Sequence, residues 1–349
     1  MGVPRALLTA LTAAALCCAA VRAADSPPLP DFQVADQLVP RDPLPERVIR
    51  WGDGSTVMTD VVYSTIPGYR PLHLDLYRAS VNATPHPLVV FVHGGGWWAA
   101  NQRAASAFLD FPAVLANLAQ RGYVVASIEY RLSGEAPFPA QLLDLQEAVR
   151  FLRANAARFG IDPAKVALWG ISAGAQLAAF DTVTCGTASA GSFDKAPGGE
   201  SDCVQGLVGW FGPYDLDAHV RETKGDASVR ALLHCGADAC APAALADSSP
   251  IRFVDAKDPP VLLMHGTDDL QVLPAQSKAF AESLRTAGVQ ADLLLIPGVG
   301  HGFIGTTPAA THDASRQALS ATFVFFDRLF DGSDTHRRPN EPNPESSSR

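Results

Sequence analysis

The sequence predicts an α/β fold, a mostly parallel central sheet flanked by helices, and three observations predict it. Short, wholly apolar runs such as residues 88–92 and 261–264 have the length and composition of strands buried on both faces. Longer segments carry apolar residues at helical spacing, as Leu142, Leu145, Val149 and Leu152 do. The two kinds alternate along the chain, the pattern that builds βαβ units. At 349 residues, 47% hydrophobic and 18% charged, the chain can bury one large core.

In order, residues 57–64 and 72–77 alternate like exposed or antiparallel strands. Strands follow at 88–92, 123–128, 166–169, 204–211, 261–264 and 292–296, with helices at 108–121, 140–159, 173–182, 277–287 and 315–330. Two segments fit poorly, 183–203 and 213–250; each holds a pair of cysteines, and both read as small insertions that cover the sheet edge or cap the site. The organisation is then a catalytic domain over 57–330, an irregular Pro- and Asp-rich arm at 24–56, and a polar, Pro-rich, disordered tail at 331–349.

Residues 1–23 read as a signal peptide: Arg5 supplies the positive end, an apolar run follows, and Ala23 offers a cleavage site. The run is short for a membrane span, and no other stretch reaches one. Loss of Arg5 and Arg22 with this segment takes the net charge from −9 to −11, which argues against nucleic acid or anionic membrane as partner. Cys185, Cys203, Cys235 and Cys240 remain, an even count in an exported chain, and suggest two disulfides. Four cysteines allow three connectivities; the pairs 185–203 and 235–240 are expected because each closes a short loop. A zinc site fits less well, since the spacing is not CxxC and His234 lies directly beside Cys235.

Four polar or Gly-rich motifs each begin where a predicted buried strand stops, the rim where open α/β sheets bind ligands. Gly170-Ile171-Ser172-Ala173-Gly174 lies between a strand and a helix, the setting of a nucleophile elbow, and makes Ser172 the candidate nucleophile. A serine hydroxyl needs an adjacent base. His301, in Gly298-Val299-Gly300-His301-Gly302-Phe303, is that candidate, set among glycines that would let it swing between nucleophile and leaving group. His265-Gly266-Thr267-Asp268-Asp269 supplies an acid to orient it, one of the two aspartates. His93-Gly94-Gly95-Gly96-Trp97-Trp98 crowds backbone N–H groups around a developing oxyanion; Gly95 and Gly96, with Ala173, are the candidate donors, and His93 reads as a structural hydrogen-bonder. Trp97, Trp98 and Phe303 are candidates for a substrate wall, whereas Trp210 and Phe211 read as core. No HExxH spacing occurs, and the chemistry needs no metal or organic cofactor.

At these residues the chain resembles bacterial α/β-hydrolases of the feruloyl-esterase-like (BD-FAE) type, near the hormone-sensitive-lipase-like esterases. The matching strings are HGGGWW (93–98), EYRLSGEAPFPAQLLDLQEAVRFLRANA (129–156), GIDPAKVALWGISAGAQLA (160–178), PPVLLMHGTDDLQVLP (259–274) and PGVGHGF (297–303), within residues 57–330. The order Ser172, Asp269, His301 is that of the α/β-hydrolase fold. The resemblance places the acid four residues after the His of HG-x-x-D, on Asp269 rather than Asp268. It implies a serine carboxylesterase, with acetyl or feruloyl groups on polysaccharides as the suggested substrate class; with the signal segment and the aromatic candidates, the expectation is a secreted or periplasmic enzyme acting on short-chain or aryl esters. The chain departs from the common GxSAGGHLA at Ala175 and Gln176, where a methyl could narrow the space behind the elbow. Glu129-Tyr130-Arg131 reads as a buttress. Competing readings are a prolyl-oligopeptidase-like peptidase, which would carry a large further domain; a true lipase, which would want an apolar lid; and a non-catalytic binding protein on a hydrolase fold, which would usually lack a triad member.

Overall fold

A computed structural model describes residues 47–50, 54–66, 68–79, 84–185, 199–223, 226–236 and 239–331. The expected signal segment (1–23), residues 24–46 of the expected arm and residues 332–349 of the expected tail lie outside them. The strands are β1 (Arg47–Arg50), β2 (Thr56–Ser64), β3 (Leu72–Arg78), β4 (His86–Val92), β5 (Val124–Ile128), β6 (Ile161–Ile171), β7 (Gly206–Trp210), β8 (Val261–Gly266) and β9 (Ala291–Ile296). They form one sheet in the order β1-β2-β3-β5-β4-β6-β7-β8-β9. Pairing is antiparallel from β1 to β5 and parallel from β5 through β4 to β9, the α/β-hydrolase fold. The chain leaves β4 for β5 on one side and returns to β6 on the other. The winding therefore reverses at β4, the place ligands take in such sheets.

Alternation along β4 shows how the sheet divides two cores. Leu88, Val90 and Val92 face one apolar layer, and Val89 and Phe91 the other. The described α-helices are α1 (Phe111–Gln120), α2 (Ala140–Ala154), α3 (Ala156–Phe159), α4 (Ala173–Thr184), α5 (Leu216–Glu222), α6 (Ala227–Leu232), α7 (Pro242–Asp247), α8 (Ala275–Thr286) and α9 (Pro308–Asp331). The first layer contains the apolar faces of α2, α4 and α8, and the second those of α1 and α9.

The differences from the sequence reading have local causes. Residues 47–50, expected in the irregular arm, form the edge strand β1 against β2. The first predicted helix starts at Phe111 rather than at 108, because Asp110 accepts from the Ala113 N–H at 3.1 Å and caps it. The helix expected over 140–159 breaks at Asn155, whose side-chain amide donates to the Phe151 carbonyl oxygen at 2.8 Å. Segment 213–250 folds into three short helices, α5 to α7. Cys185 pairs with Cys203 and Cys235 with Cys240, at Cα separations of 5.2 and 5.0 Å. Among the described residues no helix is long and apolar enough to cross a membrane.

Candidate active site

Four strand ends meet at one rim of the sheet. After β6 the chain turns sharply at Ser172, whose φ of 51° lies in the left-handed region, and enters α4 directly. The turn is held by the Ser172 N–H donating to the Trp210 carbonyl oxygen at 2.9 Å, and by its own carbonyl oxygen accepting from Ala175 at 2.9 Å. Gly174 permits it: a Cβ there would strike the carbonyl oxygens of Val92 and His93. The loop after β4 lies equally close, since a Cβ on Gly94 would come within 3.1 Å of the Ser172 Cβ.

His301 opens a short 3₁₀ turn, His301–Phe303, after β9. Its Nε2 lies 3.0 Å from Ser172 Oγ and its Nδ1 2.7 Å from Asp269 Oδ2. The structure thus brings Ser172, His301 and Asp269 together in series, although the three stand far apart in the chain. The glycines around His301 shape its loop without loosening it. Gly300 N–H donates to the Ile304 carbonyl oxygen at 2.8 Å, and Ser106 Oγ donates to the Gly302 carbonyl oxygen at 2.6 Å. The acid and base loops are also tied to each other. Thr267 N–H donates to Ile296 O at 2.9 Å, Asp268 N–H to Val299 O at 3.0 Å, and Gly298 N–H to Thr267 Oγ at 3.0 Å.

Asp269 is buried, and Asp268 is exposed beside Thr267. Asp269 Oδ1 accepts from the N–H groups of Gln271 and Val272, each at 2.9 Å. Oδ2 accepts from His301 and also faces His265 Nε2 at 3.2 Å. Burial pushes this carboxyl up, but the hydrogen bonds from His265, His301 and the Val272 N–H outweigh it and hold it well below the usual carboxylate range. His265 was not among the sequence candidates. The signal was present as His-x-x-x-Asp at the end of a buried strand. Its Nε2 also faces the Val272 carbonyl oxygen at 2.8 Å, so the proton belongs on that nitrogen and Nδ1 accepts from Ser277 Oγ at 2.7 Å.

His93 is the structural residue that the sequence suggested. Its Nδ1–H donates to Gly94 O at 2.7 Å, its ring stacks on Tyr130 at 4.3 Å, and Tyr130 Oη donates to the His93 carbonyl oxygen at 3.0 Å. Burial pushes the imidazole down to about 4, which keeps it neutral. The flanking residues of the expected buttress are engaged as well: Glu129 pairs with Arg70 at 2.7 Å, and Arg131 forks onto Asp144.

Two expected substrate-wall residues are placed elsewhere. Trp97 is 2% exposed, its indole packed inward, and Phe303 is fully buried. Phe303 packs edge-on against Trp210 at 5.2 Å and Phe211 at 4.9 Å, and Phe211 in turn packs on the His301 ring at 4.8 Å. Large apolar side chains adjoining these loops fill the space under the rim, so adjacency in sequence did not mean access to the cleft. Trp98, at 63% exposed, does face outward. It lines a cleft of about 640 Å³ with Ser133, Asp226, Ser228, His234 and Gln271, drawn from the loops after β4 and β5, the acid loop and the inserted segment 213–250.

The BD-FAE family profile matches residues 74–284. Esterase LipC of Mycobacterium tuberculosis is 33% identical over 235 residues, covering 66% of this chain and 56% of that protein. A probable isoprenylcysteine alpha-carbonyl methylesterase of Arabidopsis thaliana is 29% identical over 250 residues, covering 70% and 51%. The chain therefore spans only a little over half the length of the curated relatives it matches. Among solved structures, a truncated carbohydrate esterase from gut microbiota superposes with a TM-score of 0.63 at 27% identity, covering 80% of this chain and 98% of that one. An esterase of Thermogutta terrifontis superposes at 0.62 with 24% identity over 79% of this chain and 93% of that one, a likeness of fold.

Proposed function

The chain belongs to the BD-FAE family, and from that premise we propose that it is a secreted serine carboxylesterase working through an acyl-enzyme on Ser172. The observation that carries the reading is the unbroken series from Ser172 Oγ to His301 at 3.0 Å and from His301 to Asp269 at 2.7 Å. In it His301 takes the serine proton as the hydroxyl attacks the ester carbonyl, then returns it to the departing alcohol. Asp269, kept ionised by its donors, fixes the imidazole tautomer and stabilises its charged form. The N–H groups of Gly95, Gly96 and Ala173 receive the oxyanion, each worth about 3 kcal/mol of transition-state stabilisation. Water repeats the attack and frees the acid.

Trp98 and the cleft beside it form the substrate side. An exposed indole next to hydroxyl, carboxylate and amide groups suits an aryl ring or a sugar face. Together with the named carbohydrate esterase among the structural relatives, this supports short-chain or aryl esters, with polysaccharide-linked acetyl or feruloyl groups as the substrate class. The two disulfides support export to an oxidising compartment.

The test is hydrolysis of p-nitrophenyl esters from C2 to C12, methyl ferulate and acetylated xylan by wild type and Ser172→Ala. Activity on the short esters that vanishes in the variant is expected. Equal rates in the two proteins would remove Ser172 from the role.

A further inference from the structure

Beyond the triad, one buried residue links the nucleophile helix, the loop after β4 and the inserted segment. Gln176 stands one turn into α4 from Ser172, and its N–H donates to the Ser172 carbonyl oxygen at 3.2 Å. It is fully buried. Its carbonyl Oε1 accepts from Trp97 Nε1 at 3.1 Å, and its Nε2 donates to the Ser248 carbonyl oxygen at 2.8 Å. Trp97 immediately follows the oxyanion-loop glycines, and Ser248 closes α7 in the inserted segment.

The loop needs such a hold. Gly95, Gly96 and Trp97 take φ of 108°, 60° and 62° in succession. The first two are glycines, for which positive φ is cheap. Trp97 carries a Cβ and is strained there, and strain persists only where surroundings over-determine the conformation. Two contacts do so: the Trp97 carbonyl oxygen accepts from Ser133 N–H at 2.7 Å, and the indole N–H is taken by Gln176. An indole can only donate, so its partner must accept; the Ser248 carbonyl can only accept, so its partner must donate. A neutral primary amide meets both demands with one rigid plane.

We propose that Gln176 is a positioning residue for ester hydrolysis: it clamps Trp97, and through it the oxyanion-loop backbone, to the nucleophile helix and to the inserted segment. The proposal rests on the reading of Gly95 and Gly96 as oxyanion donors. The clamp acts on the transition state and not on substrate binding, because it sets where the Gly95 and Gly96 N–H groups stand relative to Ser172.

Gln176→Leu keeps the bulk and removes both hydrogen bonds. With p-nitrophenyl acetate, kcat should fall roughly ten- to a hundredfold, the scale of an ångström-level misplacement, with KM little changed. Gln176→His should recover most of the loss near pH 8, where a neutral imidazole still offers one acceptor and one donor. It should lose the recovery below about pH 6, where both nitrogens donate. In ¹H–¹⁵N spectra of the folded variants, the Gly95 and Gly96 amide signals and the Trp97 indole signal, assigned with Trp97→Phe, should shift in Gln176→Leu. Wild-type kcat in folded Gln176→Leu, a Gln176→His profile that follows the leucine variant at every pH, or unmoved glycine signals would overturn the clamp. If Gln176→Leu does not fold, the histidine variant and its spectra decide. The spectral readout needs no turnover, so it separates failure of the clamp from failure of the esterase reading, which Ser172→Ala tests.

Discussion

The two ends of α4 treat buried polar groups in opposite ways. At the site end Gln176 accepts from an indole and donates to a carbonyl, and Asp269 nearby gathers donors from two histidines and two backbone N–H groups. At the far end Asp181 is just as buried, but neither of its oxygens finds a hydrogen-bond donor at normal geometry. Burial, reinforced by the charge of Asp202, pushes its carboxyl well above the usual range against the pull of Gln146, Arg150 and Arg153. Arg150 is taken by Asp202 at 3.1 Å, and Arg153 by the carbonyl oxygens of Pro163, Ser201 and Cys203. One carboxyl is held toward its charged form because donors converge on it, and the other is pushed toward its neutral form because they converge elsewhere. The far end is closed instead by a covalent bond, Cys185 to Cys203.

The comparison can be broken at several points, in decreasing order of effect. Asp269→Asn should lower kcat by about 10⁴-fold, since the amide favours the wrong imidazole tautomer; steady-state kinetics on p-nitrophenyl acetate measures it. Gly174→Ala, whose methyl would meet the Val92 and His93 carbonyl oxygens, should cost about 4 kcal/mol in urea unfolding, as a backbone clash with nowhere to relax. Replacing Cys185 and Cys203 by Ser should cost about 3 kcal/mol with catalysis retained per folded molecule, against about 2 kcal/mol for Cys235 and Cys240, whose shorter loop constrains the unfolded chain less.

The smallest change sharpens the contrast. The raised Asp181 carboxyl binds its proton more tightly in the folded protein than in the unfolded chain, so stability falls as pH rises above the ordinary carboxylate range. Asp181→Asn should therefore raise the melting temperature by a few degrees near pH 8, with the gain shrinking toward pH 4. A variant that melts lower than wild type at pH 8 would overturn this expectation.

How legible each end was follows the same division. The site loops could be read because each follows a buried apolar strand and carries residues that chemistry limits to a few types: Ser172 between glycines, His301 and Asp269. The pairs 185–203 and 235–240, expected because each closes a short loop, are the ones the structure forms. Gln176 stood out only as a departure from a familiar string, since a glutamine's two partners come from segments 79 and 72 residues away and leave no local pattern. Trp97 and Phe303 were misplaced because sequence shows that an aromatic adjoins a site but not which side of the backbone it takes. Strand β1 carried too short a pattern to separate from irregular chain, and Asp181 lies on an apolar helix face where its burial depends on the opposing layer.

The stitched acid and base loops divide labour within the molecule. Asp269 and His301 are mounted on one braced platform, while the walls around Trp98 come partly from residues 226–234, a different stretch of chain. If the proposed ester reading holds, changes in that stretch would rework which esters are admitted while leaving the proton relay of Ser172, His301 and Asp269 in place.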